Sequence, residues 1–358
     1  MKKIVLTGGG TAGHVTPNIA LLPALQAAGY EIAYVGSYEG IEKKLIADFN
    51  IPYTGISTGK FRRYLDPKNF SDPFRVMKGF VEARNYLKNY QPDVVFSKGG
   101  FVSVPVVRAA ASLHIPCIIH ESDMTPGLAN KLCIPVAEKV CCNFPETMKN
   151  IPADKAVLTG SPIRAELAEG SKLAGLNMCG FTANKPVIMV IGGSLGAANV
   201  NKAVRDALPK LLEDFQVVHL CGKDKIDNLL LNTPGYKQFE YIKAELKDIF
   251  AMADVVISRA GANAICELLA LKKPNILILL SAASSRGAQL MNAASFDAQG
   301  YSIVLNEDDI TTNLLVDKVH ELYFNRQNYV DAMSKSHQMD AVKTIMELIN
   351  EAADKKTN

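Results

Sequence analysis

The sequence predicts an α/β protein of two similar domains in tandem, each a parallel sheet with helices on both faces. Three observations carry that prediction. Short apolar runs alternate with helical segments along the whole chain. A glycine turn closes the first strand of each half, at Gly8 to Gly13 and at Gly192 to Gly196. The chain is 358 residues long, which exceeds one ordinary core and suits two domains of about 150 to 200 residues each.

The first half opens with Ile4-Val5-Leu6-Thr7, stops at Gly8-Gly9-Gly10-Thr11-Ala12-Gly13-His14 and resumes as an alanine- and leucine-rich helix from Ile19 to Ala28. Further strands are expected at 31–35, 93–97, 116–120, 139–142 and 155–159. The alternation breaks at Gly160-Ser161-Pro162, which sets a first domain at 1–162 and a second at 163–340. After a polar stretch it restarts with Val187 to Ile191, the glycine turn 192–196 and a helix from Asn199 to Leu212. Strands at 215–221, 237–241, 254–257, 275–280 and 302–304 complete the second half, and only Lys355 to Asn358 read as frayed.

Composition narrows the function. Apolar residues make up 48% and charged residues 21%, as in a compact soluble protein, and the net charge of +3 gives no bulk argument for nucleic acid. Seven cysteines form no Cys-x-x-Cys pair and are odd in number, which fits reduced thiols in a cytoplasmic protein. The N-terminus resembles a signal peptide only as far as Thr7, where the glycines cut the apolar run short, and no run of 18 apolar residues exists to span a membrane.

Gly8-x-Gly10-x-x-Gly13 fits dinucleotide-binding spacing, in which backbone N–H groups at a helix start meet a phosphate. The second strand, however, ends in Gly36-Ser37-Tyr38, with no acid to hold a ribose until Glu39, so the NAD reading is disfavoured. Three glycine turns lie at strand ends, 8–13, 99–100 and 192–196, where open parallel sheets bind ligands. His14 follows the first turn, and His120-Glu121-Ser122-Asp123 ends another strand; both offer proton acceptors there. Arg164 follows the domain break, placed to reach a diphosphate or simply to lie on the surface.

In the second half, Ser258-Arg259-Ala260-Gly261-Ala262-Asn263-Ala264 joins a strand to a helix whose N-terminus favours a diphosphate. Glu267 falls one turn into that helix, fit to accept ribose hydroxyls or to complement the dipole. Gln289 and Asn292 share one helix face and suit sugar hydroxyls. No His-x-x-x-His or Asp-x-Asp suggests a metal, and Glu307-Asp308-Asp309 reads as an N-terminal cap. Lys60-Phe61-Arg62-Arg63-Tyr64 through Phe70 to Val81 mixes basic with large apolar residues, as at an anionic bilayer surface; a core-facing helix with solvated lysines is the plainer alternative.

Taken together, Gly9 to His14, Ser97-Lys98-Gly99-Gly100-Phe101, His120 to Asp123, Gly192 to Ala197, Ser258 to Gly261 with Glu267, and Gln289 with Asn292 closely resemble the MurG family. Its members are UDP-N-acetylglucosamine transferases that convert lipid I to lipid II in peptidoglycan synthesis. The resemblance covers essentially the whole chain. It implies a GT-B fold, two Rossmann-like domains with parallel sheets facing across a cleft. Residues 1–162 would be the acceptor and membrane side, 163–340 the UDP-sugar donor domain, and 341–358 would carry a last helix, at about 341–353, back to the first domain.

The resemblance further implies that the Ile242 backbone meets the uracil and Glu267 holds the ribose. Ser194 and the helix start Ala262-Asn263-Ala264 would take the diphosphate, with Arg164 beside it. Gln289, with Asn292, would read the sugar hydroxyls, while Thr11, Ala12 and Gly13 would face the transferred sugar. Gly10, Gly13, His14, Gly99, Gly100 and Phe101 would face the acceptor. His14, Asp123 and Glu121 form the catalytic set, with His14 or Asp123 taking the proton of the acceptor's 4-hydroxyl as configuration inverts. No metal and no cofactor are expected. The partners would be UDP-N-acetylglucosamine, an undecaprenyl-pyrophosphoryl-muramyl-pentapeptide and the cytoplasmic face of the cell membrane, met peripherally, with no nucleic acid.

Two departures stand out: Ala12 where many members have glycine, and Asp123 where some have asparagine, which donates where a carboxylate cannot. The rival readings are a transferase for another lipid acceptor, a UDP-sugar epimerase of similar architecture, an NAD-dependent dehydrogenase, and a non-catalytic nucleotide-binding scaffold.

Overall fold

The computed structural model describes residues 1–59, 68–192, 197–280, 287–336 and 340–357. The chain forms two compact units, Met1–Arg164 with Asp340–Asn358, and Ala165–Met339. The division falls two residues beyond the break read from the sequence, so Arg164 closes the first unit instead of opening the second. The Gly160 carbonyl accepts a hydrogen bond from His120 at 2.9 Å, which ties the segment after the last strand into the first unit.

The strands of the first unit are β1 (Lys3–Thr7), β2 (Glu31–Ser37), β3 (Tyr53–Ile56), β4 (Val94–Ser97), β5 (Cys117–Glu121), β6 (Lys139–Cys142) and β7 (Ala156–Leu158). They form one parallel sheet in the order β3-β2-β1-β4-β5-β6-β7. Between them run α1 (Thr16–Ala27), α2 (Ile41–Ile46), α3 (Lys68–Tyr90), α4 (Ser103–Ser112), α5 (Leu128–Cys133) and α6 (Pro145–Met148). A parallel sheet covered on both faces needs apolar residues on both sides of each strand, and Ile4, Val5, Leu6, Val94, Val95 and Phe96 are all fully buried. That is why β1 and β4 read as unbroken apolar runs. The sequence reading passed over β3. It is an edge strand of four residues after Pro52, paired only with β2, and Gly55 sits where a Cβ would stand 2.8 Å from the Tyr38 ring.

The second unit holds β8 (Val187–Ile191), β9 (Gln216–Leu220), β10 (Tyr236–Phe239), β11 (Val255–Arg259), β12 (Asn275–Leu279) and β13 (Ser302–Asn306). They too are parallel, ordered β10-β9-β8-β11-β12-β13. Its helices are α7 (Lys172–Cys179), α8 (Ala198–Asp214), α9 (Leu246–Met252), α10 (Ala262–Ala270), α11 (Ala288–Ala298), α12 (Thr312–Phe324) and α13 (Arg326–Ser334). In both sheets the strand order reverses beside the first strand, so β1 has β4 at its side and β8 has β11. All seven cysteines are buried, as small core residues.

The chain ends in α14 (Ala341–Thr357), which belongs to the first unit. Ile345, Ile349 and Ala353 join Ile4, Leu6, Leu21 and Leu25 in one core cluster, and Tyr30 donates to the Asn350 side chain at 2.7 Å. The helix outlasts the expected 341–353 because Ala352 to Lys356 favour helix and Lys355 pairs with Glu138, so this terminus is not frayed where expected. Ile349→Ala should therefore lower the stability of the first unit by about 2 to 5 kcal/mol, the range for a buried isoleucine truncated to alanine. Urea unfolding followed by hydrogen exchange checks this: the loss should show in β1 and β4 and leave β8 and β11 unchanged.

Candidate active site

In the first unit the site residues stand at the carboxyl ends of β1, β4 and β5. Gly10, Gly99 and Gly100 have φ of 84°, 94° and 83°, the left-handed region that glycine adopts without strain. Two of them also lack room for a side chain. A Cβ on Gly10 would lie 2.5 Å from the Phe101 ring, and one on Gly100 would lie 2.4 Å from the Gly9 carbonyl oxygen and 3.2 Å from His14 Nδ1. The loops after β1 and β4 therefore interlock. Ala12 opens a short 3-10 turn, Ala12–His14, and is not among the residues with positive φ, so its methyl replaces a glycine hydrogen without strain.

One backbone donor of the first loop is already taken. Glu42 of α2 is fully buried and accepts hydrogen bonds from the Gly10 N–H at 3.1 Å, the Ser37 N–H at 2.9 Å and the Ser37 hydroxyl. The Gly10 N–H is thus engaged by a carboxylate, and a negative charge stands under the loop.

His14 lies behind this loop, with Nδ1 3.0 Å from Thr11 Oγ1. Burial, then the positive charge of Lys98, push its pKa down to about 4, while the Gly9 backbone and Glu42 pull the other way. At neutral pH the imidazole is unprotonated, as a proton acceptor must be.

His120 differs. It is fully buried, with Nδ1 2.8 Å from the Lys98 ammonium and Nε2 2.9 Å from the Gly160 carbonyl oxygen. An ammonium and a carbonyl fix its tautomer: Nδ1 accepts and Nε2 carries the proton. Burial holds it neutral, and both nitrogens are occupied, so it clamps the loop. Glu121, placed in the catalytic set, is also engaged. Its carboxylate accepts from the Asp123 N–H at 2.9 Å, the Gly127 N–H at 3.0 Å and Asn130 at 2.8 Å, and it orders the loop that presents Asp123. Burial raises the pKa of Asp123, and Lys98 opposes that rise. Sequence reasoning missed Glu42 and Lys98 as site residues; a lysine between a strand end and a glycine pair was the available signal.

In the second unit a cavity of about 700 Å³ opens at the carboxyl ends of β8 and β11. Gly192, Asn199, Arg259, Ala264, Glu267, Gln289 and Glu307 line it, at the N-termini of α8 and α10. Helix starts present N–H groups to an anion. Gln289 Oε1 and Asn292 Oδ1 are buried with no hydrogen-bond partner among the described residues, while Asn292 donates to the Ala260 carbonyl at 3.3 Å. Gln289 lines the cavity, where an amide oxygen left without a donor suits a ligand hydroxyl, and Asn292 stands outside its lining. Ala262 and Asn263 begin α10, and Ile242 is buried in the turn after β10; none of the three is among the lining residues. Arg164 is half-buried at the end of the first unit, and Ser194 lies outside the described residues.

Glu307 is not an N-terminal cap. The helix after it is capped by Thr311, whose hydroxyl accepts from the Leu314 N–H at 3.2 Å. The Glu307 carboxylate instead pairs with Arg259, little exposed on either side, and accepts from Asn199. Among the described residues no group of three His, Cys, Asp or Glu side chains is arranged to hold a metal ion.

Residues 4–142 match the glycosyltransferase family 28 N-terminal domain, and residues 187–349 match the family's C-terminal domain. The chain belongs to glycosyltransferase family 28. Its relatives in the family include proteins of Lachnospira eligens and Lachnoclostridium phytofermentans, each 64% identical over 98% of this chain and 99% of theirs. Both are named UDP-N-acetylglucosamine--N-acetylmuramyl-(pentapeptide) pyrophosphoryl-undecaprenol N-acetylglucosamine transferase. Among solved structures, MurG of Acinetobacter baumannii aligns with a TM-score of 0.77 at 28% identity, covering 98% of this chain and 100% of that one. The family 28 chain thus has the GT-B fold. A UDP-GlcNAc 2-epimerase of Neisseria meningitidis aligns at 0.68 with 14% identity over 98% of this chain and 99% of its own, a likeness of fold alone.

The Arg259–Glu307 pair gives a direct test of how this family 28 cavity is held together. Glu307→Leu should destabilise the second unit by about 3 kcal/mol, because it leaves a guanidinium uncompensated. The double variant Arg259→Leu/Glu307→Leu should recover most of that loss. Urea midpoints of the three proteins check it.

Proposed function

We propose that the chain transfers N-acetylglucosamine from UDP-N-acetylglucosamine to the 4-hydroxyl of a lipid-linked N-acetylmuramyl-pentapeptide, with inversion at the anomeric carbon. Identity of 64% across nearly the full length of both chains to transferases of that name carries this reading. In it the second unit holds the donor. The starts of α8 and α10 face the diphosphate, Glu267 takes the ribose, and Gln289 with Asn292 uses its unpartnered amide oxygen to receive sugar hydroxyls. The acceptor hydroxyl attacks the anomeric carbon, its proton passes to His14 or Asp123, and UDP leaves. Glu121 orders the turn that presents Asp123.

The membrane reading rests on the first unit. Of the basic and apolar stretch, 60–67 lies outside the described residues. Within α3, Phe74 and Met77 are 79% and 63% exposed, beside Arg75 and Lys78, and Leu128 and Leu132 of α5 are exposed as well. A cavity of about 470 Å³ lined by Met77, Phe80, Leu132, Arg108 and Lys131 adds basic groups to this apolar face. Such a face seats in an anionic bilayer surface. Among the described residues no helix is long and apolar enough to cross a membrane; the reading has the first unit meet the membrane peripherally, on its cytoplasmic side.

Labelled UDP-N-acetylglucosamine incubated with and without a lipid-linked muramyl-pentapeptide should yield labelled lipid only when the acceptor is present. Release of UDP or an epimerised sugar nucleotide without acceptor, and no labelled lipid with it, would overturn the reading. Whichever of His14→Ala and Asp123→Asn removes the base should lower kcat by about 100-fold or more with donor Kd unchanged. Gln289→Ala should weaken discrimination among UDP-sugars.

A further inference from the structure

We propose that Lys98 is a positioning residue for the transfer, a buried positive charge that fixes the Ser122–Asp123 turn and keeps the proton-accepting groups of the first unit in their unprotonated state. The inference rests on the reading of the chain as a transferase and adds to it a residue that the relatives' names do not assign. Lys98 is 1% exposed, an unusual place for an ammonium, whose desolvation must be offset by partners. Its Nζ donates to His120 Nδ1 at 2.8 Å and to the Ser122 hydroxyl. Because the Gly160 carbonyl holds the His120 proton on Nε2, Nδ1 remains an acceptor and the lysine is kept where it is.

Its backbone is fixed as well. The Lys98 N–H donates to the Thr7 carbonyl at 2.9 Å, and a Cβ on Gly8 would stand 3.3 Å from the Lys98 Cβ, so the lysine lies directly under the first glycine loop. On its other side the turn is held by Asn143, which donates to the Ser122 carbonyl, and by Thr147, which donates to the Asp123 carbonyl, each at 3.1 Å.

The charges that face the site are Glu42 from α2, Lys98 from the end of β4, and Glu121 and Asp123 from the end of β5, with His120 neutral between them. Of these, Lys98 favours the unprotonated state at both candidate bases: it lowers the pKa of His14 and opposes the rise that burial imposes on Asp123. Glu42 acts on His14 in the opposite sense, so the lysine also cancels the carboxylate that braces the loop.

The test compares wild type with Lys98→Gln, which keeps a donor for His120 and Ser122 but no charge, and with Lys98→Met, which keeps neither. Two measurements are made: the pH dependence of kcat, and the NMR titration of the His14 imidazole, identified by the signal missing from His14→Gln. Removing a positive charge makes protonation of His14 and Asp123 easier. In Lys98→Gln the limb on which kcat rises with pH should therefore move to higher pH by about one unit, most of the lost activity should return above it, and the His14 pKa should rise. Lys98→Met should show the same shift and, with the turn unheld, a lower kcat even at high pH. An unmoved His14 titration in a folded Lys98→Gln protein, or a loss of kcat equal at every pH, would overturn the proposal. If wild type transfers no sugar while the His14 pKa still rises in Lys98→Gln, the transferase reading fails and the electrostatic role of Lys98 stands.

Discussion

The first unit depends on the absence of two Cβ atoms. The loops after β1 and β4 share space that a side chain at Gly10 or Gly100 would fill, and the carbonyl of Gly9, the ring of Phe101 and the imidazole of His14 occupy it instead. The sheet order makes this possible, since β4 pairs with β1 in register from Ile4↔Val94 to Thr7↔Ser97 and delivers both loops to one place. His14 and Lys98, 84 positions apart by number, thereby meet beneath a single pair of turns. Gly10, part of what looks like a nucleotide motif, acts here with Gly100 as a spacer between two loops.

That arrangement limits what a phosphate-binding spacing offers a phosphate here. A cradle needs free N–H groups and no negative charge nearby, and Glu42 takes the Gly10 N–H and supplies such a charge. The carboxylate is useful in another way. Buried beneath the loop, it accepts from Ser37 at the end of β2 as well as from Gly10, and so locks the loop to the sheet. Together with Lys98 it sets opposite charges near His14, and the balance of the two, with burial, decides the state of the imidazole.

Much of the fold was legible because parallel strands buried on both faces leave unbroken apolar runs. Val187 to Ile191 and Lys139 to Cys142 coincide with the expected ranges, and the others differ by one or two residues at their ends, where hydrogen bonding and not composition sets the limit. β3 was invisible because an edge strand with a central glycine carries no such run. In the site, Glu267 and Gln289 were legible because each stands near the start of a helix that follows a strand, a position that topology directs toward ligand. Glu42, Lys98 and the Arg259–Glu307 pair were not. Their meaning lies in partners 32, 22 and 48 positions away, and only the strand order says which of those distant residues are neighbours.

The same logic decides how the second unit would hold a diphosphate. Among the described residues that line its cavity, Arg259 is the one cation, and its guanidinium is committed to Glu307 and to the Ile278 carbonyl at 3.2 Å. Glu267 adds a second carboxylate to the wall. Side-chain charge there does not favour an anion, so the attraction must come from the oriented N–H groups at the starts of α8 and α10, where a helix dipole contributes about half a positive charge at each. Glycine at the cap of α10 serves that purpose: Gly261 has nothing within 4 Å of where a Cβ would project, which leaves the helix start open to close approach. In the proposed reading the Glu267 carboxylate in the wall is tolerable because a ribose is a neutral group that asks for acceptors. On that proposal anion and sugar would be sorted along one short helix, backbone donors at its start and an acceptor one turn in.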